Sequence, residues 1–166
     1  PRAAHDFMNA GDPQSTEFGV LLHAEMERRV LARQRGSKPS AAHVSSNVAK
    51  HVQRAEEALA TLTKARELPE WRLYGEAGER RIDLLRVQAG DVFEIIDFKT
   101  DDVEVGQLRH RASEQYGKQL REYAGLLRDF LARRGQKPKQ VRLLVCFTAP
   151  ENAKPSERLI EIPENP

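Results

Sequence analysis

The hydrophobic positions along the chain recur first with the period of a helix and then with that of a strand. Apolar residues at three- and four-residue intervals predict two helices, the first capped by Ser15 or Thr16 and the second ended by Pro69. From there, apolar runs of strand length predict a sheet, interrupted by one long amphipathic helix. The predicted elements are helices at about 16–34 and 42–65, strands at 71–76, 80–87 and 92–99, a helix at about 114–133, and strands at 141–148 and 158–162.

The order of these elements, α-α-β-β-β-α-β-β, predicts an α/β (α+β) fold in which helices flank a central mixed β-sheet. The strand at 141–148 is continuously apolar, which indicates burial on both faces, whereas the short last strand is expected at an edge. At 166 residues the chain has the size of one domain. It divides into an irregular lead-in at 1–15, a helical part at 16–68 and a sheet-and-helix core at 69–162.

Composition narrows the class of protein. With 39% hydrophobic and 31% charged residues, the chain has the composition of a folded, soluble domain. No apolar stretch is long enough to span a bilayer and the chain carries no signal-peptide pattern, which favours the cytoplasm. The single cysteine, Cys146, lies in an apolar run, so we expect a buried thiol. One cysteine excludes internal disulfides and cysteine-based zinc or iron–sulfur sites.

Charge is distributed unevenly along the chain. Residues 90–104 carry six acidic residues against Lys99 alone, whereas residues 105–145 carry ten Lys and Arg against three acidic residues. An acidic cluster followed by a basic helix suits a metal-dependent enzyme that acts on a polyanion. The alternative is an exposed helix that presents its arginines to solvent.

The turn predicted at 88–91 places two aspartates beside each other. If the hairpin is centred on Gly90, antiparallel pairing sets Asp83 opposite Asp97, with Cβ atoms about 4.5–5.5 Å apart. Two carboxylates that close repel each other unless a positive group lies between them, and a divalent cation is the usual solution. Strand alternation puts Lys99 on the same face as Asp97, and Phe98 on the other.

These residues, in this order, resemble the active-site signature of the PD-(D/E)XK nuclease superfamily, and in particular the RecB/AddA-type nuclease domain at the C-terminus of bacterial helicase–nucleases. The resemblance covers about His23 to Tyr123. It rests on Gly19-Val20-Leu21-Leu22-His23, Ile82-Asp83-Leu84, Ile95-Ile96-Asp97-Phe98-Lys99-Thr100-Asp101 and Gln119-Leu120-Arg121-Glu122-Tyr123, with Tyr116 upstream. Each motif is weak by itself, and the ordered combination carries the signal.

The resemblance implies a restriction-endonuclease-like core, hydrolysis of DNA with Mg²⁺ or Mn²⁺, and a helicase motor as partner in double-strand-break repair. The implied metal ligands are His23, Asp83, Asp97 and the Phe98 carbonyl, and Lys99 would orient the attacking water or stabilise charge on the phosphate. Gln119 and Tyr123 would contact the DNA backbone or support the site. The residues expected to guide the DNA strand are Arg109, Arg111, Lys118 and Arg121.

Two positions depart from the family pattern: Arg80 stands where a glycine is usual, and Ile82 replaces the proline of the superfamily name. Other interpretations remain open. His23 can be a core histidine, and Glu76 an exposed strand-end residue. The whole chain can be an inactive nuclease fold kept for DNA binding or scaffolding, or a structural domain without DNA affinity. Metal-dependent cleavage and salt-dependent DNA binding distinguish these possibilities.

Overall fold

A five-stranded mixed β-sheet forms the centre of the computed structural model, which describes residues 16–39 and 44–165. The strands are β1 (Arg66–Gly75), β2 (Gly78–Gln88), β3 (Val92–Lys99), β4 (Gln140–Phe147) and β5 (Leu159–Ile162). They lie side by side in chain order, and neighbouring strands are antiparallel except β3 and β4, which are parallel. A parallel pair needs a crossover connection, and the helices between β3 and β4 provide it.

Helices cover both faces of the sheet. They are α1 (Thr16–Gln34), α2 (Ser46–Leu59), the single turn α3 (Leu108–Arg111) and α4 (Gly117–Ala132), with a π-helical turn at Ala112–Tyr116 and 3₁₀ turns at Val105–Gln107 and Pro155–Arg158. A mixed sheet flanked by helices confirms the predicted α+β class. Within residues 16–39 and 44–165, no helix is both long and apolar enough to cross a membrane.

Two hydrophobic cores lie on opposite faces of the sheet because side chains alternate along β3. Ile95 packs into a core that includes Leu120 and Leu127 of α4. Ile96 and Phe98 pack into the other core, with the apolar faces of α1 and α2. The alternation therefore directs the polar residues between and after these positions toward the α4 face.

The β2–β3 hairpin has the predicted register. Leu84 pairs with Ile96, and the turn contains two residues with left-handed backbone conformations, Gly90 (φ 82°) and Asp91 (φ 62°). The expectations for the second half of the sheet are also confirmed. β4 is buried along most of its length, β5 lies at an edge, and Cys146 is a buried thiol.

The boundaries predicted around Pro69 are wrong. α2 ends at Leu59, and β1 begins at Arg66, inside the part predicted to be helical. Pro69 lies within β1, opposite Leu84. Proline is tolerated there because β1 is an edge strand, in which a missing amide hydrogen need not break a ladder.

Smaller corrections concern the other ends. The long helix starts at Gly117 because residues 112–116 form the π-helical turn, and Arg158 belongs to a 3₁₀ turn rather than to the last strand. β2 extends to Gly78 and Gln88, and β4 is displaced by one residue from its predicted range. The lead-in at 1–15 and the first two residues of the predicted second helix, 42 and 43, lie outside the described residues.

A fully buried carboxylate, Glu94, lies near the N-terminal end of β3 with its charge balanced. Arg86 binds one carboxylate oxygen, and Arg142 Nη1 donates to the other at 2.8 Å. Arg86 also donates to the Thr63 carbonyl at 2.7 Å. Two guanidinium groups thus compensate one carboxylate, as burial of a charge requires.

A buried histidine on α2, His51, ties the helix to the segment after β4. Its Nδ1 lies 2.7 Å from Thr148 Oγ1, and its ring packs edge-on against Phe18. Burial, followed by the positive charges of Arg54 and Lys50, lowers the pKa of His51 to about 4. The imidazole is therefore neutral in the folded protein at neutral pH.

This neutral histidine predicts a loss of stability in mild acid. Below its ordinary pKa of 6.5, the unfolded chain takes up a proton that the folded protein accepts only near pH 4, so the free energy of unfolding falls as the pH decreases through that window. The loss amounts to about 3 kcal/mol. Urea unfolding between pH 7.5 and 4 measures it, with His51→Gln as the variant that lacks the titrating group. Parallel stability profiles for the two proteins would contradict the prediction.

Candidate active site

Three carboxylates from three adjacent strands lie in one row across the sheet. Between β1 and β2, the paired positions on either side leave Glu70 opposite Asp83. Between β2 and β3, the next step of the ladder after Leu84 and Ile96 sets Asp83 opposite Asp97. Glu70, Asp83 and Asp97 are the carboxylate row.

β1 and β2 both change face at this row. In β1, Leu68 and Trp71 contact the same core although they are three positions apart. Their partners in β2, Leu85 and Ile82, do the same. Regular alternation would put them on opposite faces. The backbone absorbs the change at Glu70, whose φ is +50°, a left-handed conformation that a non-glycine residue adopts only at a cost of about 1 kcal/mol or more. The irregularity releases the row from the strict in-and-out pattern of the strands.

His23 reaches the row from α1. Its Nδ1 lies 3.5 Å from Asp83 Oδ1 and 3.8 Å from Glu70 Oε1. Ligand atoms of these three residues all lie within 4.8 Å of one another. A cavity of about 10 Å³ lies against them. It has room for about one water molecule or ion.

Burial keeps His23 in the form that can bind a metal. Desolvation lowers the pKa of His23, and the negative charge of Asp97 and the Phe98 backbone oppose that effect. A neutral imidazole has a free lone pair, whereas a protonated one has none. His23, predicted from the sequence as a metal ligand, lies beside Asp83 and Glu70, and its role as a ligand stays a prediction.

The two aspartates strongly influence each other. Asp83 Oδ2 accepts a hydrogen bond from the Phe98 amide at 2.9 Å. Burial, followed by the charge of Asp97, raises the pKa of Asp83 well above its ordinary value. Asp97 Oδ2 is buried, and among the described residues it has no partner with hydrogen-bond geometry, although Lys99 Nζ lies 3.0 Å away. Lys99 is thus the ion-pair partner of Asp97, whereas Asp83 has the Phe98 amide and the His23 ring beside it.

The helix side of the site is formed by α4 and the π-helical turn. Gln119 Nε2 donates to the Tyr123 hydroxyl at 2.9 Å. Burial, followed by the charges of Asp97 and Asp83, raises the pKa of Tyr123 to about 12. Tyr123 therefore lies within the electrostatic influence of the aspartates and its hydroxyl stays protonated, while Gln119 contacts that hydroxyl.

The four basic residues predicted to guide DNA occupy different environments. Arg109 and Lys118 are exposed, and Arg111 lies 3.4 Å from Asp101. Arg121 donates to the Pro163 carbonyl, which ties it to the C-terminal segment. Arg80, the departure from the family pattern, donates to Glu122 at 3.0 Å and so links β2 to α4.

Sequence reasoning missed Glu70. The arithmetic that paired Asp83 with Asp97 would have found it, because a hairpin turning between Gly75 and Gly78 sets residue 70 opposite residue 83. The signal was lost when Pro69 was interpreted as the end of a helix, which left Glu70 outside the first predicted strand.

A scan against models of known protein families finds no match for this chain. A search of curated proteins likewise finds no significant match.

Proposed function

We propose that this chain is a divalent-cation-dependent deoxyribonuclease of the PD-(D/E)XK type that hydrolyses phosphodiester bonds. The observation that carries the proposal is the pair of neighbouring carboxylates Asp83 and Asp97, whose negative charge is only partly balanced. Buried Glu94 has two guanidinium partners, whereas among the described residues the Lys99 ammonium group is an ion-pair partner of Asp97, and Asp83 lies beside the imidazole of His23. Such an imbalance is stable when a cation completes the site.

The donor atoms suit a hard divalent cation. His23, Glu70 and Asp83 place ligand atoms within 4.8 Å of one another, and Asp97 on the neighbouring strand would add a further carboxylate. Desolvation favours the neutral imidazole of His23. Oxygen donors favour Mg²⁺, and the added nitrogen is compatible with Mn²⁺. Asp97 Oδ2 is buried and lies 3.0 Å from Lys99 Nζ without hydrogen-bond geometry, so a cation would share this oxygen with the ammonium group. Such an ion, when bound, supplies Lewis-acid chemistry toward a phosphodiester and its attacking water.

The remaining residues have roles set by their charge. Lys99 is partly exposed and carries its ammonium group at the end of β3, where it can stabilise negative charge developing on a phosphate. The protonated Tyr123 hydroxyl, fixed by Gln119, can donate a hydrogen bond to a phosphate oxygen.

DNA as the substrate is supported by the basic residues of α3 and α4. Arg109 and Lys118 are exposed on the segment that also carries Tyr116 and Gln119. Contacts of this kind bind the phosphate backbone and weaken with salt. The resemblance further implies a helicase motor on the same or another chain, a role in double-strand-break repair and a cytoplasmic location. We include these in the proposal.

The proposed function predicts metal-dependent cleavage of DNA. Single-stranded and duplex DNA incubated with the chain should be cut with Mg²⁺ or Mn²⁺ and left intact with EDTA. Asp97→Asn and Lys99→Ala should each slow cleavage by about 100-fold or more, because each removes charge from the reacting centre.

The control for this prediction is Asp102→Asn, which changes an exposed carboxylate outside the row and should leave the rate unchanged. Cleavage that persists in EDTA, or that is insensitive to Asp97→Asn, would contradict the proposed metal-dependent nuclease site. Salt-dependent DNA binding without cleavage would instead favour an inactive binding module.

A separate prediction concerns Glu70. If Glu70 completes the cation site, Glu70→Gln should weaken Mn²⁺ binding by about tenfold, measured by electron paramagnetic resonance titration. Glu67→Gln is the matched control, since Glu67 lies on the same strand and pairs with Arg33 instead. Equal Mn²⁺ affinity in wild type and Glu70→Gln would remove Glu70 from the ligand set.

A further inference from the structure

The ammonium group of Lys99 lies between two very different neighbours. Asp97 Oδ2 is 3.0 Å from Nζ, and the centroid of the Tyr116 ring is 4.5 Å from it. The second contact is a cation–π interaction, which operates within about 6 Å. Lysine has a long, flexible side chain, so each contact reduces the positions that Nζ can occupy.

We propose that Tyr116 is a positioning residue for Lys99: its ring holds the ammonium group in place, and Asp101 holds the ring. The inference deepens the proposed nuclease function and rests on it. Tyr116 does not touch the reacting atoms in this scheme and acts through Lys99. Its contribution is greatest when Asp97 is engaged with a cation, because a shared carboxylate attracts the ammonium group less strongly.

The ring is fixed from two sides. The Tyr116 hydroxyl donates to Asp101, whose two carboxylate oxygens lie 2.7 Å away, and Arg111 is an ion-pair partner of the same carboxylate at 3.4 Å. Phe147 packs against the ring at a centroid distance of 6.4 Å. Burial and then Asp101 raise the pKa of Tyr116, so the phenol remains a hydrogen-bond donor.

The backbone supplies independent support. Leu108 and Ala112 are fully buried and four residues apart, so a regular helix would place residue 116 next in the same core stripe. The π-helical turn adds a residue, and buried Gly117 takes the core position instead. Tyr116 is thereby moved off the core stripe. Single π-helical turns are uncommon and often mark functional sites.

A nuclear magnetic resonance experiment tests the contact without relying on activity. Protons next to an ammonium group that lies over an aromatic ring resonate upfield of those in exposed lysines. In wild type we expect the Lys99 Hε signals, assigned through Lys99→Arg, to lie upfield of the Lys118 signals. Tyr116→Leu should abolish the displacement, and Tyr116→Phe should retain most of it because the ring remains. Tyr74→Leu, which removes an exposed tyrosine elsewhere, should leave it unchanged.

Cleavage kinetics test the consequence. Tyr116→Leu should lower kcat by about tenfold with little change in KM, because the ammonium group loses the ring contact that holds it in place. Tyr116→Phe should recover most of the loss. If Tyr116 only stabilised the fold, Tyr116→Leu would lower the amount of folded protein. The Lys99 Hε signals of the wild type would then not lie upfield of the Lys118 signals.

The outcomes separate the two proposals. Unchanged Lys99 signals in Tyr116→Leu overturn the positioning role whether or not DNA is cut, and so does an unchanged kcat in an active enzyme. If the wild-type chain cuts no DNA, the proposed function fails, and the Lys99 signals alone decide whether the ring holds the ammonium group. If Tyr116→Leu does not fold, Asp101→Asn replaces it. That variant keeps the ring but weakens its anchor, and it should reduce the displacement; an unchanged spectrum overturns the proposal.

Discussion

Two carboxylates are buried side by side where β2 meets β3, and the arrangement of the surrounding elements follows from that contact. Asp83 and Asp97 cannot move apart, because the hairpin register is fixed by the turn at Gly90 and by Leu84 and Phe98, which follow the two aspartates and pack into the same core. Desolvation and like charge both oppose ionisation, which raises the pKa of Asp83. β3 also contains Glu94, whose two carboxylate oxygens are both paired to arginine, so the chain can neutralise a buried acid. At the aspartate pair it does so only in part.

The backbone irregularity at Glu70 belongs with this imbalance. A left-handed conformation at a glutamate costs energy, and glycine would avoid the cost. Its effect is to bring a third carboxylate within reach of His23 and Asp83. Because further negative charge in an already acidic site raises the electrostatic cost, the arrangement is favourable when a cation is bound. Local strain and electrostatic repulsion thus both raise the energy of the site, and the proposed cation would relieve the repulsion.

The sequence predicted those features that depend on period and turn chemistry. The alternation of β3, the register around Gly90 and the burial of Cys146 all follow from local rules, and each is confirmed. The predicted end of α2 and the predicted start of β1 were wrong because proline can end a helix or lie in an edge strand. Only the sheet order distinguishes these cases. Glu70 was missed as a consequence. The π-helical turn has no local signature, since it depends on which residue the core accepts after Ala112.

Lys99 is the residue on which these elements converge. Its carbonyl accepts the Thr148 amide at 3.0 Å, and the Thr148 hydroxyl contacts His51, so the end of β3 is tied to α2. Its ammonium group meets Asp97 on its own strand and Tyr116 on the π-helical turn. The backbone is therefore anchored from one face of the sheet and the side chain from the other. Under the proposed function, a lysine fixed at both ends would lose little further entropy on meeting a phosphate, and electrostatic stabilisation is most effective when the charged group is already in place.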